Sequence, residues 1–260
     1  MTPLLWTSRR SNTDYWLLAA SAPVLLGAAL LGWWLSWLSA STAMLCFLLL
    51  AALVAKYSRT RGLRLADLVT LARGLGVCFL AGLALQAVAG GLAKNGVLTM
   101  IIMGSLCLML DGLDGRVARA RGEASDFGAR FDVETDAAML VVLSVAVAAL
   151  GVAGWWVLVI GLLRYGYVAT ALVVPALRLP LPYRYSAKVI AVAQPVALLA
   201  VLALELLHSN QWGVTMVLLA AFALLCWSFG RSVLWQLRNA PSRSLEAAEP
   251  PRTSSVLETT

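Results

Sequence analysis

Seven of the thirteen acidic residues in this chain, Asp111, Asp114, Glu123, Asp126, Asp132, Glu134 and Asp136, fall within one 26-residue stretch. Carboxylates crowded together repel one another and take up protons unless cations keep them ionised. If the helix that contains Asp111 continues through Ala120, then Asp111, Gly115, Ala118 and Arg119 share one face, with Asp114 a turn along. If a second helix begins near Gly128, then Gly128, Asp132 and Asp136 repeat at four-residue spacing on its inward face. Two carboxylate pairs then converge. Oxygen-only ligation without an adjacent His or Cys points to Mg²⁺ or Mn²⁺, and shared carboxylates suggest two ions roughly 3.5 to 4 Å apart, an arrangement suited to phosphoryl transfer. Small residues at 115 and 118 would let a diphosphate approach the helix and Arg119 would neutralise it, although small residues also serve close helix packing.

The elements that must position these groups are membrane helices. A hydrophobic content of 61%, a charged content of 13% and a mean hydropathy of +0.83 exclude an ordinary soluble domain. Eight apolar stretches are long enough to cross a bilayer, at 16–37, 38–55, 68–90, 97–114, 132–152, 155–176, 187–207 and 212–234. Lipid cannot satisfy bare backbone and no alternating strand pattern occurs, so the fold class is an all-α integral-membrane bundle. The first run is too long for a cleaved leader and is followed at once by a second. Cys46, Cys78, Cys107 and Cys226 all fall inside spans and are expected to be packing residues. His208 belongs at the outer surface, away from the acids.

A net charge of +7 raises the question of nucleic acid, but the cations sit in short loops beside spans, the pattern that orients membrane proteins. Arg9 and Arg10 precede the first span, and Lys56, Arg59, Arg61 and Arg64 follow the second. Alternation then puts Arg116, Arg119, Arg121 and Arg130, Arg178 and Arg184, and Arg231 and Arg238 on the same, cytoplasmic side, with both termini. A bacterial inner membrane is the expected location. Trp33, Trp34, Trp37, Trp155, Trp156 and Trp212 fit interfacial belts. From Pro241 the composition is that of a disordered tail.

The pattern Asp111-x2-Asp114-Gly115-x2-Ala118-Arg119-x8-Gly128-x3-Asp132-x3-Asp136 resembles, at every fixed position, the signature of the CDP-alcohol phosphotransferases. Thr70-Leu71-Ala72-Arg73 is similar to the element that opens the family's first core helix, with Ala66-Asp67 where many members carry Pro-Asn. The resemblance covers residues 65 to about 234. It implies a six-helix catalytic core over 65–238, with 1–64 as an added two-helix hairpin and basic segment and 239–260 as a tail. It further implies that Asp111, Asp114 and Asp132 bind two metal ions, with Asp136 as general base and a further metal contact. Asp67, Thr70, Arg73, Gly115, Ala118, Arg119 and Gly128 are then assigned to the nucleotide. Members are commonly homodimers.

On that reading an acceptor hydroxyl attacks the phosphate of a CDP-alcohol, expected to be CDP-diacylglycerol, and CMP leaves. Arg130, Arg164, Arg178, Arg184 and Lys188 could form a pocket for a small acceptor alcohol carrying its own phosphate, such as glycerol 3-phosphate or an inositol phosphate. Loop arginines also set topology or touch headgroups of membrane lipids. Arg164 lies inside a span, where a charge needs a partner or a watery cavity. Two rivals remain: an intramembrane prenyltransferase, whose acidic motifs are widely separated along the chain, and a cation transporter, which accounts for the acids but not for Gly115, Ala118, Arg119 and Gly128.

Overall fold

The structure is a computed structural model. It describes residues 37–61, 65–121, 126–182, 184–207 and 211–248; side chains at 38, 51, 53–70, 113–129 and 241–248 are outside the description. These residues form seven α-helices: α1 Trp37–Arg61, α2 Leu65–Val88, α3 Lys94–Arg121, α4 Asp126–Ala149, α5 Leu158–Val173, α6 Tyr185–Leu206 and α7 Gln211–Ala248. No strand occurs among the described residues. One 3-10 turn, Trp155–Val157, leads into α5 and another, Pro175–Arg178, follows it.

Among the described residues, five helices are long and apolar enough to cross a membrane, over Leu71–Val88, Lys94–Gly112, Trp155–Val173, Tyr185–Leu206 and Gln211–Ala240. The expected first span, 16–37, lies outside the described residues apart from Trp37. α1 contributes a shorter apolar stretch, Ser39–Leu50. α4, which covers most of the expected fifth span, 132–152, is not one of the five, because its first turns carry Asp132, Glu134 and Asp136. A second correction is at the C-terminus: the tail expected to be unstructured from Pro241 is helical to Ala248.

α4 is the centre of the bundle, packed against α2, α5 and α6, while α3 lies on α2 and α6, and α7 lies on α6. Its apolar half supplies the core: Met139, Leu143, Ala146 and Val147 pack with Leu80, Leu83 and Met100 from α2 and α3 and with Leu198, Leu202 and Leu218 from α6 and α7. Apolar packing between helices needs close backbones when the surrounding lipid is equally apolar. Gly161 of α5 provides one such approach, since a Cβ there would lie 2.7 Å from the Cα of Val141 on α4. Gly82 provides another, where a Cβ would meet the Ser39 carbonyl oxygen of α1 at 2.4 Å.

Two turns at one end of the bundle are closed by left-handed glycines. Gly90 has φ 74° and Gly151 has φ 72°. The Gly90 N–H donates to the Ala87 carbonyl and the Gly91 N–H to that of Gln86; Gly151 and Val152 repeat the pattern on Ala148 and Val147. Both are Schellman closures, which satisfy the orphan carbonyls at a helix C-terminus. Sharp turns at this end leave α2 antiparallel to α3 and α4 antiparallel to α5. The carboxylates therefore gather at the opposite end.

Candidate active site

The helix continuity on which the carboxylate geometry depends is present: α3 runs without a break past Ala120, and α4 begins two residues before Gly128. Asp111 comes from α3, Asp132 and Asp136 from successive turns of α4, and Arg73 from α2. The Arg73 guanidinium lies 2.9 Å from the Asp111 carboxylate and donates through Nη1 to Asp132 and through Nη2 to Asp136. Arg73 is 1% exposed, whereas the three carboxylates are partly accessible. A buried guanidinium is tolerable only with such partners. The Arg73 carbonyl in turn faces the Cys107 thiol of α3 at 3.9 Å.

The Arg73 guanidinium, which the resemblance assigns to the nucleotide, is thus turned into the protein and meets Asp111, Asp132 and Asp136. One carboxylate oxygen from each of the three lies within 4.8 Å of the others. A hard divalent ion bound to oxygens at about 2.0 to 2.6 Å suits that spacing and that donor set. Asp111, Asp132 and Asp136 therefore fit one Mg²⁺ or Mn²⁺.

Asp67, Thr70, Asp114, Gly115, Ala118, Arg119 and Gly128 lie on described stretches of α2, α3 and α4, but their side chains are outside the description. The carboxylate counterpart of a second ion, Asp114, is among them. His208 also lies outside the described residues.

The three carboxylates open onto a cavity of about 410 Å³ between α3, α4, α5, α6 and α7. One wall is charged, with Asp111, Asp132, Asp136, Arg164 and Lys188; the remainder is mainly apolar, including Met139, Leu140, Ile160, Val192, Leu225 and Phe229. Of the five basic residues expected at an acceptor pocket, the structure brings Arg164 and Lys188 here. Arg164 is oriented by Glu134, with Nη2 donating to Oε1 at 2.6 Å, so the intramembrane charge has the partner it requires.

The others are elsewhere. Arg178 donates to the Ala171 and Leu172 carbonyls at 2.8 and 2.6 Å, satisfying the C-terminal end of α5. Arg184 lines a separate groove of about 540 Å³ with Trp227, Arg231, Leu234, Trp235 and Arg238. Arg130 is exposed at the start of α4. Cys78 and Cys107 are buried as expected, but Cys226 is exposed and lines the same groove as Arg184.

Sequence reasoning missed Gln194, which is fully buried on α6 and lines the cavity. Its signal was available as a polar amide beside Pro195 in the middle of an apolar run. It also missed Gln236, 1% exposed, whose amide donates to the Leu177 and Leu179 carbonyls and accepts from the Tyr167 hydroxyl. Gln236 ties the segment after α5 to α7.

The family model described as CDP-alcohol phosphatidyltransferase matches residues 63–228, from just ahead of α2 into α7. Neither a curated protein nor a solved structure matches the chain.

Proposed function

The chain belongs to the CDP-alcohol phosphatidyltransferase family, whose reaction carries a phosphatidyl group from a CDP-alcohol to an acceptor, and from that premise we propose that it uses CDP-diacylglycerol, releases CMP and works at the cytoplasmic edge of the membrane. The observation that carries this reading is the convergence of Asp111, Asp132 and Asp136 within 4.8 Å at a charged wall of an otherwise apolar cavity. Such a cavity suits a water-soluble diphosphate held beside carboxylates with lipid among apolar side chains.

Asp111, Asp132 and Asp136 would hold the divalent cation, with Asp114 beside them in the signature. When bound, that ion supplies neutralising charge to the phosphate oxygens of the transferred group. Arg73 keeps the three carboxylates converged, which holds the site in shape beforehand and reduces the reorganisation needed during reaction. Gly115, Ala118 and Arg119 are assigned to the cytidine diphosphate on the strength of the signature.

Lys188 and Arg164 provide positive charge in the same cavity as the aspartates and suit an acceptor with its own phosphate. Asp136 takes the acceptor's hydroxyl proton. The acceptor oxygen forms a bond to phosphorus as the phosphorus–oxygen bond to CMP breaks, giving a phosphodiester. A base held within hydrogen-bond reach contributes about 10² to 10⁴ in rate. The apolar walls limit water at the reacting phosphate and so limit hydrolysis.

The test is CMP release by the purified full chain in detergent, given CDP-diacylglycerol, Mg²⁺ or Mn²⁺, and a panel of glycerol 3-phosphate, myo-inositol 1-phosphate, glycerol, inositol and serine. Metal-dependent CMP release with one acceptor is expected. Absence of CMP with every acceptor and alternative CDP-alcohol overturns the reading, and pyrophosphate release from a prenyl diphosphate would replace it.

A further inference from the structure

Gln194 has one half of its amide accounted for and the other half open. Its Nε2 donates to the Ile190 carbonyl at 3.3 Å and to the Ala221 carbonyl of α7 at 3.1 Å. Those two acceptors fix the orientation of the amide, since the flipped form would set Oε1 against two carbonyl oxygens. Oε1 is then left buried and without a hydrogen-bond partner, although the residue is fully enclosed and lines the cavity. An unsatisfied buried acceptor carries a desolvation penalty, which a donor entering the cavity would relieve.

The surrounding backbone has the same polarity. Pro195 has no N–H, so the carbonyl of Ala191, another cavity residue, lacks its usual helical donor. This part of the cavity therefore carries acceptors in want of donors. A lipid ester carbonyl is itself an acceptor and gains nothing there, whereas a hydroxyl fits.

Gln194 is also near the reacting groups. Gly104 of α3 packs on Leu199 of α6. Counting about 1.5 Å per residue from that contact along the two antiparallel helices places Gln194 within about one helical turn of Asp111 in depth.

We propose that Gln194 is a specificity-determining residue whose Oε1 accepts a hydrogen bond from a non-reacting hydroxyl of the substrate, located close to the phosphate being transferred. This rests on the transfer reaction proposed above. The hydroxyl belongs either to a polyol acceptor or to the CDP-alcohol itself, and both sources offer the same donor to the same oxygen.

The experiment measures kcat/KM for CMP release in two arms, with wild-type protein and Gln194→Met in detergent. The first arm compares glycerol 3-phosphate with 3-hydroxypropyl phosphate, which lacks the middle hydroxyl, or myo-inositol 1-phosphate with its monodeoxy analogues, whichever parent compound the wild type accepts. The second compares a CDP-monoacylglycerol carrying a free 2-hydroxyl with its 2-deoxy counterpart. In one arm the wild type should prefer the hydroxylated compound by about tenfold, the scale of one hydrogen bond to a buried acceptor. Gln194→Met, which removes the acceptor oxygen, should bring that ratio to about one.

Because each ratio is taken within one protein, a general loss of packing between α6 and α7 does not move it. The arm that responds identifies the source of the hydroxyl. Equal use of hydroxylated and deoxy compounds by the wild type in both arms overturns the proposal, as does a preference that survives Gln194→Met. Wild-type protein that releases no CMP under any condition instead defeats the transfer reading on which it rests.

Discussion

Arg73 and the group formed by Arg184, Arg231 and Arg238 carry the same guanidinium into opposite surroundings. Arg73 is 1% exposed and meets Asp111, Asp132 and Asp136. The other three line an open groove with Trp227 and Trp235, where the Arg231 guanidinium lies 5.6 Å from the Trp227 ring centroid. In the first place a charge must be paired or the fold is penalised heavily; in the second, water and headgroups are available to solvate it. Basic residues in a membrane protein thus divide by burial rather than by count, and only the buried one organises the carboxylates.

The largest expected effect is at a carboxylate of the organised cluster. Asp136→Asn should lower CMP release by about 10² to 10⁴ while keeping CDP-lipid binding, as measured by turnover alongside binding of a labelled CDP-lipid. Unchanged turnover would remove Asp136 as the base. Loss of binding together with turnover would recast it chiefly as a metal anchor.

Removing the cation is the next test. Arg73→Met leaves three carboxylates facing one another and should cost about 3 to 5 kcal/mol of stability in metal-free detergent solution, seen as a lower thermal midpoint. Mg²⁺ or Mn²⁺ should recover part of that loss, and more than it adds to the wild type, because the ion replaces the missing counter-charge. A variant as stable as the wild type without metal would show that the Arg73 pairing carries no structural weight.

Gly161→Val tests the packing that holds α5, and with it Arg164, against α4. The added side chain begins 2.7 Å from the Val141 Cα, so the helices must part, at a cost of about 1 to 3 kcal/mol. Thermal melting should report it, with weaker CMP release as Arg164 shifts. The smallest effect is expected in the open groove. Arg231→Gln should change stability by less than about 1 kcal/mol and leave CMP release within about threefold. A loss there comparable to Arg73→Met would erase the distinction between the two arginine environments.

Much of the acidic end of the bundle was legible in the sequence. Four-residue spacing already put Asp132 and Asp136 on one face of a helix, and the structure brings both to Arg73 and to the cavity. The intramembrane position of Arg164 signalled a partner, which is Glu134. The basic loops were less informative because Lys188, Arg178 and Arg184 are alike in composition and flanking sequence. Only the packing of α5, α6 and α7 separates them into a cavity cation, a helix cap and a groove residue. The apolar pattern also could not show that α4 is the central helix, since its carboxylates lower the hydropathy of a segment whose other half supplies Met139, Leu143, Ala146 and Val147 to the core.

By itself the sequence determined the all-helical membrane architecture, the family signature and the acidic segment around which the site is built. Those properties reside in local composition and helical period, which act over a few turns of one chain segment. Tertiary structure decided what each of those residues meets: Arg73 among the three aspartates, with Lys188 and the open acceptor of Gln194 in the same cavity. Such pairings join α2, α3, α4 and α6 across long sequence separations. They follow from which helices can approach closely, as Gly76 allows between α2 and α3 and Gly104 between α3 and α6, and no period along the chain encodes that choice.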